Sequence, residues 1–358
     1  MNYSRIERVV KEMACRGLDR IIVSSPSSVY YLTNVWSEPG YRLMALVLEK
    51  NGDCMLYANR IFSLRGHTGD LPLVEFDDVD DSVAVLAQGL RPGVVGVDKL
   101  LTAQFLLRLI ALRPDIRFTE GSAPVDAARM CKDAEELSRM RESSRLNDKA
   151  VELLAQTIKQ GDTELALARR YCDIALELGT SGTACSPLIC FGASGGDAHH
   201  ATDATQLRRG DAIIIDVGLK YRNATSDITR TYFYGSVSDE QKRVYEIVKA
   251  ANEAGRKAVR PGVALKEIDR AARSIIEEAG YGACFTHRLG HGIGLQMHEP
   301  PDVNAVSEGI AKPGMVFSIE PGIYLRDRFG VRIEDLVAVT EEGHEVLNHL
   351  ERELVILH

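Results

Sequence analysis

Several features that would assign a chain quickly are missing here, and each absence excludes something. The seven cysteines (15, 54, 131, 172, 185, 190 and 284) are odd in number and show no CxxC spacing. That excludes a disulfide framework and a zinc ribbon, and it fits reduced thiols in a cytoplasm. No run of five or six like charges occurs, and 43 basic against 51 acidic side chains leave a formal net charge of −8. Neither nucleic acid nor an anionic membrane is therefore expected as a partner. No apolar stretch approaches the roughly 18–20 residues that span a bilayer. The opening residues, MNYSRIERVVKEMACRGLDR, mix charges through an amphipathic pattern without an apolar h-region or a small-residue cleavage site, so an unexported, cytoplasmic protein is expected. No GxGxxG follows the first strand-like run and no GK[ST] follows the later glycine-rich one, which argues against dinucleotide and phosphate-loop sites.

What is present is core material. At 358 residues, 45% hydrophobic and 26% charged, the chain has the length of two domains at roughly 100–200 residues each. Its texture changes along the way. Up to residue 128, strand-like runs at Arg20 to Ser24, Leu43 to Leu48, Cys54 to Tyr57 and Val94 to Val97 alternate with helical spacing at Ile6 to Met13 and Val83 to Leu90. This predicts an α/β domain with a mixed sheet over 1–128, and a linker near 120–133 in GSAPVDAARMCKD. A second domain is expected over 129–358. It opens with a long polar helix from Asp133 to about Ile158 and a second from Asp162, as N-cap, to Gly179; the charged faces of both read as solvated. Strands follow at Ala212 to Leu219 and Asp227 to Tyr234. Then come helices from Asp239 to Val259, entered through a Ser238–Gln241 capping box, and from Ala264 to Ala279. The last hundred or so residues are glycine-rich and β-like, and no internal repeat is visible.

Five of the nine histidines (His199, His200, His287, His291 and His298) fall between 199 and 298, and acids interrupt apolar strands nearby. Asp216 sits in RRGDAIIIDVGLK, and Asp227 opens the next strand-like run eleven residues later. A buried carboxylate costs several kcal/mol unless paired or metal-bound. Two brought together by a hairpin need a cation. His287 and His291 have i, i+4 spacing in THRLGHGIGLQMHEPP, but this is not HExxH. Gly290, Gly292 and Gly294 argue for an extended, glycine-permitted turn rather than a helix. Glu320 in GMVFSIEPGIY and Glu334 in GVRIEDL are again acids ending apolar runs; Glu334 alone reads as a partner for Arg332, and Tyr324 reads first as packing. Together Asp216, Asp227, His291, Glu320 and Glu334 form an oxygen-rich set with one nitrogen, suited to Mn²⁺, Co²⁺, Fe²⁺ or Zn²⁺. Four carboxylates able to bridge favour two ions about 3.5–4 Å apart sharing a hydroxide.

The order IDVG, SDITRT, GHGIG followed by HE, SIEPGIY and GVRIED resembles the catalytic signature of the prolidase and aminopeptidase P family, the proline-specific branch of the pita-bread metallopeptidases. The resemblance covers about 133–358 and extends more loosely to the first 125 or so residues, which look like the family's creatinase-like N-terminal domain. It implies an α+β fold, with a pita-bread catalytic domain over 129–358, and two divalent ions per chain. Asp216 and Asp227 would bind the metals, Asp227 touching both; His291 and Glu320 would hold one ion, and Glu334 would bridge. Glu320 would also take the proton of the nucleophilic water, and His298 would donate to the scissile carbonyl oxygen. His287 and His199 would line the subsite for the proline ring and its neighbouring carboxylate, with Arg332 orienting the acids. A homodimer is also implied, with the N-terminal domain of one chain bordering the partner's site.

Two departures from the family pattern matter. The stretch that ends Pro-His in the family reads ASGGDAHH here, with Ala198 in the proline's place. Some dipeptide-specific members carry an arginine for the substrate carboxylate between the HE motif and the first metal Glu; here Lys312 is the only cation between Glu299 and Glu320. The expected function is hydrolysis of Xaa-Pro bonds in short peptides, as a dipeptidase or an aminopeptidase. The alternatives are a same-fold hydrolase of a small non-peptide C–N bond, creatinase-like or acting on a cyclic amidine, and a peptide-binding relative without chemistry.

Overall fold

In the computed structural model, which describes residues 1–358, the short apolar runs near the N-terminus pair into one mixed sheet. Helix α1 (Tyr3–Cys15) turns Ile6, Val9 and Met13 inward. It is followed by β1 (Arg20–Val23), α2 (Pro26–Thr33), β2 (Met44–Glu49), β3 (Cys54–Asn59), β4 (Leu73–Phe76), α3 (Ser82–Gly89), β5 (Gly93–Val97), α4 (Ala103–Leu112) and β6 (Ile116–Glu120). The sheet order is β4-β3-β2-β1-β5-β6. β2 lies antiparallel to β1 and β3, whereas the β1–β5, β5–β6 and β3–β4 pairs are parallel. Strand β1 is buried throughout. Ile21, Ile22 and Val23 therefore form a continuous apolar run rather than an alternating one, and the buried Arg20 at its start pairs with Glu49.

The segment expected to be a linker is a helix instead. α5 (Ala123–Met130) carries Pro124 in its first turn, where a missing N–H is not needed, and buries Pro124, Val125, Ala128 and Arg129. The chain divides into two compact units, Met1–Arg129 and Met130–His358.

In the second unit α6 (Ala134–Thr157) starts from a capping box: the Asp133 and Glu136 carboxylates each accept from the other's backbone N–H. α7 (Glu164–Glu177) is capped by the Thr163 hydroxyl, which accepts from Ala166 N. Asp162, the expected cap, stands one residue too early and pairs with Arg170. Next come β7 (Leu188–Phe191), β8 (Ala212–Val217), the small hairpin β9 (Lys220–Tyr221) and β10 (Ala224–Thr225), and β11 (Ile228–Tyr234). α8 (Asp239–Ala258) follows, starting from the expected Ser238–Gln241 box, and then α9 (Leu265–Glu278). The chain ends in β12 (Gly290–Gly292), β13 (Glu299–Val303), β14 (Val316–Ile319), β15 (Gly322–Leu325), β16 (Phe329–Arg332), β17 (Asp335–Val339), β18 (His344–Val346) and β19 (Ile356–Leu357).

These strands form a sheet in the order β19-β11-β8-β7, a second in the order β13-β12-β14-β17-β18, and a β15-β16 pair. α6 and α7 bury Leu154, Leu167 and Tyr171 against Ile213 and Ile215 of β8 and Ile228 of β11. α8 and α9 bury Val248, Ile268 and Ala272 against Phe317 and Ile319 of β14 and Val337 of β17. Each half thus sets a helix pair against a sheet, an architectural repeat that leaves no repeat in the sequence. An isolated bridge from Thr229 to Glu334 joins the two halves. No helix is long and apolar enough to cross a membrane.

Candidate active site

Strand register places the acids. Asp216 is the penultimate residue of β8 and pairs in register with Thr229; Asp227 stands just ahead of β11, so antiparallel pairing carries both acids to one end of the β8–β11 pair. The same device recurs in the other half, where Ile319 pairs with Asp335 and so sets Glu320, just past β14, beside Glu334, just ahead of β17. His291 is the middle residue of β12, between Gly290 and Gly292.

The glycine-rich segment is extended and not helical, as expected, but Gly290 and Gly292 stand in a strand rather than a turn, Gly294 follows in a bend, and none of the three has a positive φ. The glycines serve close approach. A Cβ on Gly290 would lie 1.8 Å from the Ser318 carbonyl oxygen, and one on Gly292 would lie 2.4 Å from that of Pro300. With nothing larger tolerated on either side, His291 is drawn against β14 and its backbone N–H donates to Ser318 Oγ at 3.0 Å.

Asp227, Glu334 and His291 are buried, and one ligand atom from each lies within 4.8 Å of the others. His291 Nδ1 is 3.1 Å from the Gly292 carbonyl oxygen, which can only accept, so Nδ1 carries the proton. The unprotonated Nε2 then faces Glu320 Oε1 at 3.4 Å and Asp227 Oδ2 at 3.7 Å. Burial pushes the His291 pKa down to about 4, so protonation of Nε2 does not relieve this meeting of acceptors. Burial, reinforced by the charges of neighbouring carboxylates, likewise raises the Asp227 and Glu334 carboxyls well above their usual range, and burial raises Glu320. Asp227 Oδ1 and Glu334 Oε1 are buried with no hydrogen-bond partner. Carboxyl oxygens left without a partner beside an imidazole lone pair, all costly to bury as separate charges, fit a bound cation, and the donor set suits a hard or borderline divalent ion.

A hydrogen-bond relay runs out from the acids. Arg332 pairs with Asp216 rather than with Glu334; its Nη1 donates to the Tyr324 hydroxyl at 2.7 Å, and its Nε to Thr229 Oγ1 at 3.3 Å. Thr229 Oγ1 in turn donates a hydrogen bond to Glu334 Oε2 at 2.7 Å. Because arginine can only donate, the Tyr324 O–H is left to donate to His287 Nε2 at 2.8 Å. His287 Nδ1–H then donates to the Arg288 carbonyl at 2.7 Å. Both nitrogens of His287 are thus engaged, and burial lowers its pKa, so it stands as a neutral ring. Tyr324, read from the sequence as packing, is the link in this chain. The available signal for Thr229 was its period-2 spacing from Asp227, which puts both on one face of the strand.

All of Asp216, Asp227, His291, Glu320, Glu334, His199, His287, His298 and Arg332 line one cavity of about 750 Å³. The His298 ring meets the His291 ring edge-on, 4.2 Å between centroids, and makes no hydrogen bond to the chain. His199 faces the cavity, whereas His200 does not: its Nε2 is 2.7 Å from Glu164 Oε2. Arg288 also lines the cavity and was not singled out from the sequence; its Nη1 is 2.5 Å from Asp302 Oδ1.

Helix pairs laid on sheets, with acids and one imidazole gathered where antiparallel strand pairs end, define a pita-bread metallopeptidase domain, preceded in the chain by a creatinase-like domain. Residues 138–341 match Metallopeptidase family M24, and residues 5–131 match the Creatinase/Prolidase N-terminal domain. The chain belongs to metallopeptidase family M24. An uncharacterized peptidase of Staphylococcus aureus is 32% identical over 353 residues, 98% of this chain and 100% of that protein. Among solved structures, a dipeptidase from Pyrococcus horikoshii is 35% identical with a TM-score of 0.93, covering 99% of this chain and 100% of its own. A prolidase from Thermococcus sibiricus is 31% identical with a TM-score of 0.95, the match covering both chains fully at 100%.

Proposed function

We propose that this metallopeptidase cleaves Xaa-Pro bonds in short peptides, as a dipeptidase or aminopeptidase, with two divalent ions per chain. The observation that carries the reading is the unprotonated His291 Nε2 facing two carboxylates, with orphaned oxygens on Asp227 and Glu334 in the same cavity. Asp216, Asp227, His291, Glu320 and Glu334 would hold the ions, Asp227 and Glu334 being shared. Bound there, divalent ions supply a water ionised near neutral pH and offset negative charge on the substrate carbonyl.

The chain's own groups do the rest. His298, free of hydrogen bonds to the chain and with its pKa lowered by burial, presents a neutral ring N–H to the scissile carbonyl oxygen as that oxygen gains charge. The Glu320 carboxylate would take the proton of the attacking water and deliver it to the departing proline nitrogen, its Oε1 standing at the cavity 3.4 Å from His291 Nε2. Arg332 fixes Asp216, and through Tyr324 it fixes His287. With neither nitrogen free, His287 offers a flat wall to the proline ring rather than a donor to the substrate carboxylate. That role falls to His199 and Arg288 at the same cavity. An Xaa-Pro bond is a tertiary amide without N–H, so a ring-sized wall replaces the hydrogen bond an ordinary peptidase would use. The names of the related dipeptidase and prolidase support the same substrate class. A homodimer accompanies this reading and is checked by sedimentation equilibrium.

The test is metal-depleted protein assayed on Ala-Pro, Ala-Pro-Ala and creatine, before and after addition of Mn²⁺, Co²⁺, Fe²⁺ or Zn²⁺. Metal-restored cleavage of the dipeptide alone identifies a dipeptidase, and cleavage of both peptides an aminopeptidase. Failure on both peptides with every metal refutes the reading, and turnover of creatine alone replaces it with a non-peptide hydrolase.

A further inference from the structure

The second histidine of ASGGDAHH has no place in the chemistry above, yet it is tied down more firmly than the first. Glu164, at the first turn of α7, is fully buried. Its Oε1 accepts from Phe191 N at 2.8 Å and from Ser194 Oγ; its Oε2 accepts from His200 Nε2 at 2.7 Å and from Asp203 N at 3.1 Å. Four donors thus converge on one carboxylate, two from each end of the segment 191–203. Glu164, His200 and Asp203 also have the spacing of a metal-binding group. Both Glu164 oxygens already accept two hydrogen bonds, however, so this carboxylate has no lone pair left for an ion.

The segment so clamped needs restraint. It contains Gly192, Gly195 and Gly196, and Ala198 imposes no fixed φ. Ordering such a chain costs about 1–2 kcal/mol per residue. Between the two pinned ends stands His199, whose side chain reaches the cavity while its backbone N–H is held by Asp197 Oδ1 at 2.9 Å. His200 is the next residue, its side chain 16% exposed, and it fixes the direction of the backbone from which His199 projects.

We infer that His200, clamped by Glu164, is a positioning residue for substrate binding, holding His199 at the cavity wall. This rests on the subsite role proposed for His199. The experiment is steady-state kinetics of the metal-loaded enzyme on Ala-Pro and Ala-Pro-Ala, with metal content and Tm measured for each variant. Loss of a hydrogen bond to a charged group predicts a rise in KM of roughly 10-fold in His200→Ala, with kcat within about 2-fold and bound metal unchanged. His200→Gln, whose amide N–H can reach Glu164, should recover most of the loss. The double variant His199→Ala/His200→Ala should match His199→Ala alone within about 2-fold, because a group acting through His199 has nothing left to position. Multiplying effects in the double variant would overturn the inference. So would a fall in kcat with unchanged KM, a loss of metal, or a His200→Gln no better than His200→Ala. If His199→Ala itself leaves KM unaltered, the subsite reading falls first, and the inference with it.

Discussion

Arg230, the arginine of SDITRT, touches no substrate in the mechanism above, yet the site is built on it. All five of its N–H groups are used within a fully buried setting. Nε donates to the Glu351 carbonyl at 3.1 Å; Nη1 donates to the carbonyls of Thr229 and Glu334 at 2.9 and 2.7 Å; Nη2 donates to Asp335 Oδ1 at 2.8 Å and to the Leu350 carbonyl at 2.7 Å. Two of those carbonyls belong to the bridge that joins the halves of the catalytic unit. Arg230→Met keeps the volume and removes every donor. Breaking a buried ion pair costs about 3–5 kcal/mol. Asp335 keeps Arg352 at 2.7 and 2.8 Å, which lowers that figure, while the orphaned carbonyls raise it again. A net loss of about 4 kcal/mol follows, and at about 2–4 °C per kcal/mol for a unit of this size Tm should fall by roughly 10 °C. Arg230→Lys restores the charge but at most three donors, so its Tm should lie between the two. Scanning calorimetry of the metal-loaded protein measures both. A fall of under about 2 °C in Arg230→Met, or a lysine variant indistinguishable from wild type, would refute the argument that the fork geometry is what holds the bridge.

Three further substitutions probe the site. Asp227→Asn should abolish peptide cleavage and lower bound metal from about two ions per chain, since a shared ligand serves both; full activity with two ions by metal analysis would show the ligand assignment to be wrong. Tyr324→Phe removes the donor to His287 Nε2, so a ¹⁵N spectrum should show loss of the single neutral tautomer, and kcat/KM should fall roughly 10-fold. An unchanged ¹⁵N pattern would break the relay argument. Arg288→Ala should raise KM for Ala-Pro roughly 10-fold and for Ala-Pro-Ala less, because the carboxylate lies one residue further from the scissile bond in the tripeptide; equal effects on both peptides would remove Arg288 from carboxylate recognition.

Much of the fold could be read locally. The Ser238–Gln241 box marks where α8 begins because the donors it satisfies lie within one turn of chain, and the expected start of α6 at Asp133 holds for the same reason. The same locality misleads at 120–133, where Gly121 and Pro124 look like punctuation. Pro124 instead occupies a helical first turn whose stability comes from burying Val125 and Ala128, information that lies elsewhere in the sequence. At Gly290 and Gly292 the residue type was informative but its meaning was not. Glycine signals either unusual φ or close approach, and only the position of the Ser318 and Pro300 carbonyls decides between them.

The site divides along the same line. A carboxylate within or at the end of an apolar run is conspicuous because burial makes it costly, so Asp216 inside one and Asp227, Glu320 and Glu334 at the ends of others stand out as a set before their partners are known. Which group each one meets is another matter. Glu334 has Arg332 two residues away, and proximity in sequence favours that pair, but the chain leaves β16 at Arg332 before it reaches Glu334, and the guanidinium is spent on Asp216 and Tyr324 while Glu334 accepts from Thr229. Arg332 can serve both because Tyr324, opposite Gly330 in the β15–β16 pair, folds its ring over Gly322, where a Cβ would stand 2.4 Å from the hydroxyl oxygen. The hydroxyl is thereby aimed at His287 rather than packed away. The burial cost of each acid is a property of the residue and is legible one position at a time, whereas the direction of every proton in the relay is a property of pairs, fixed only once register has chosen the partners.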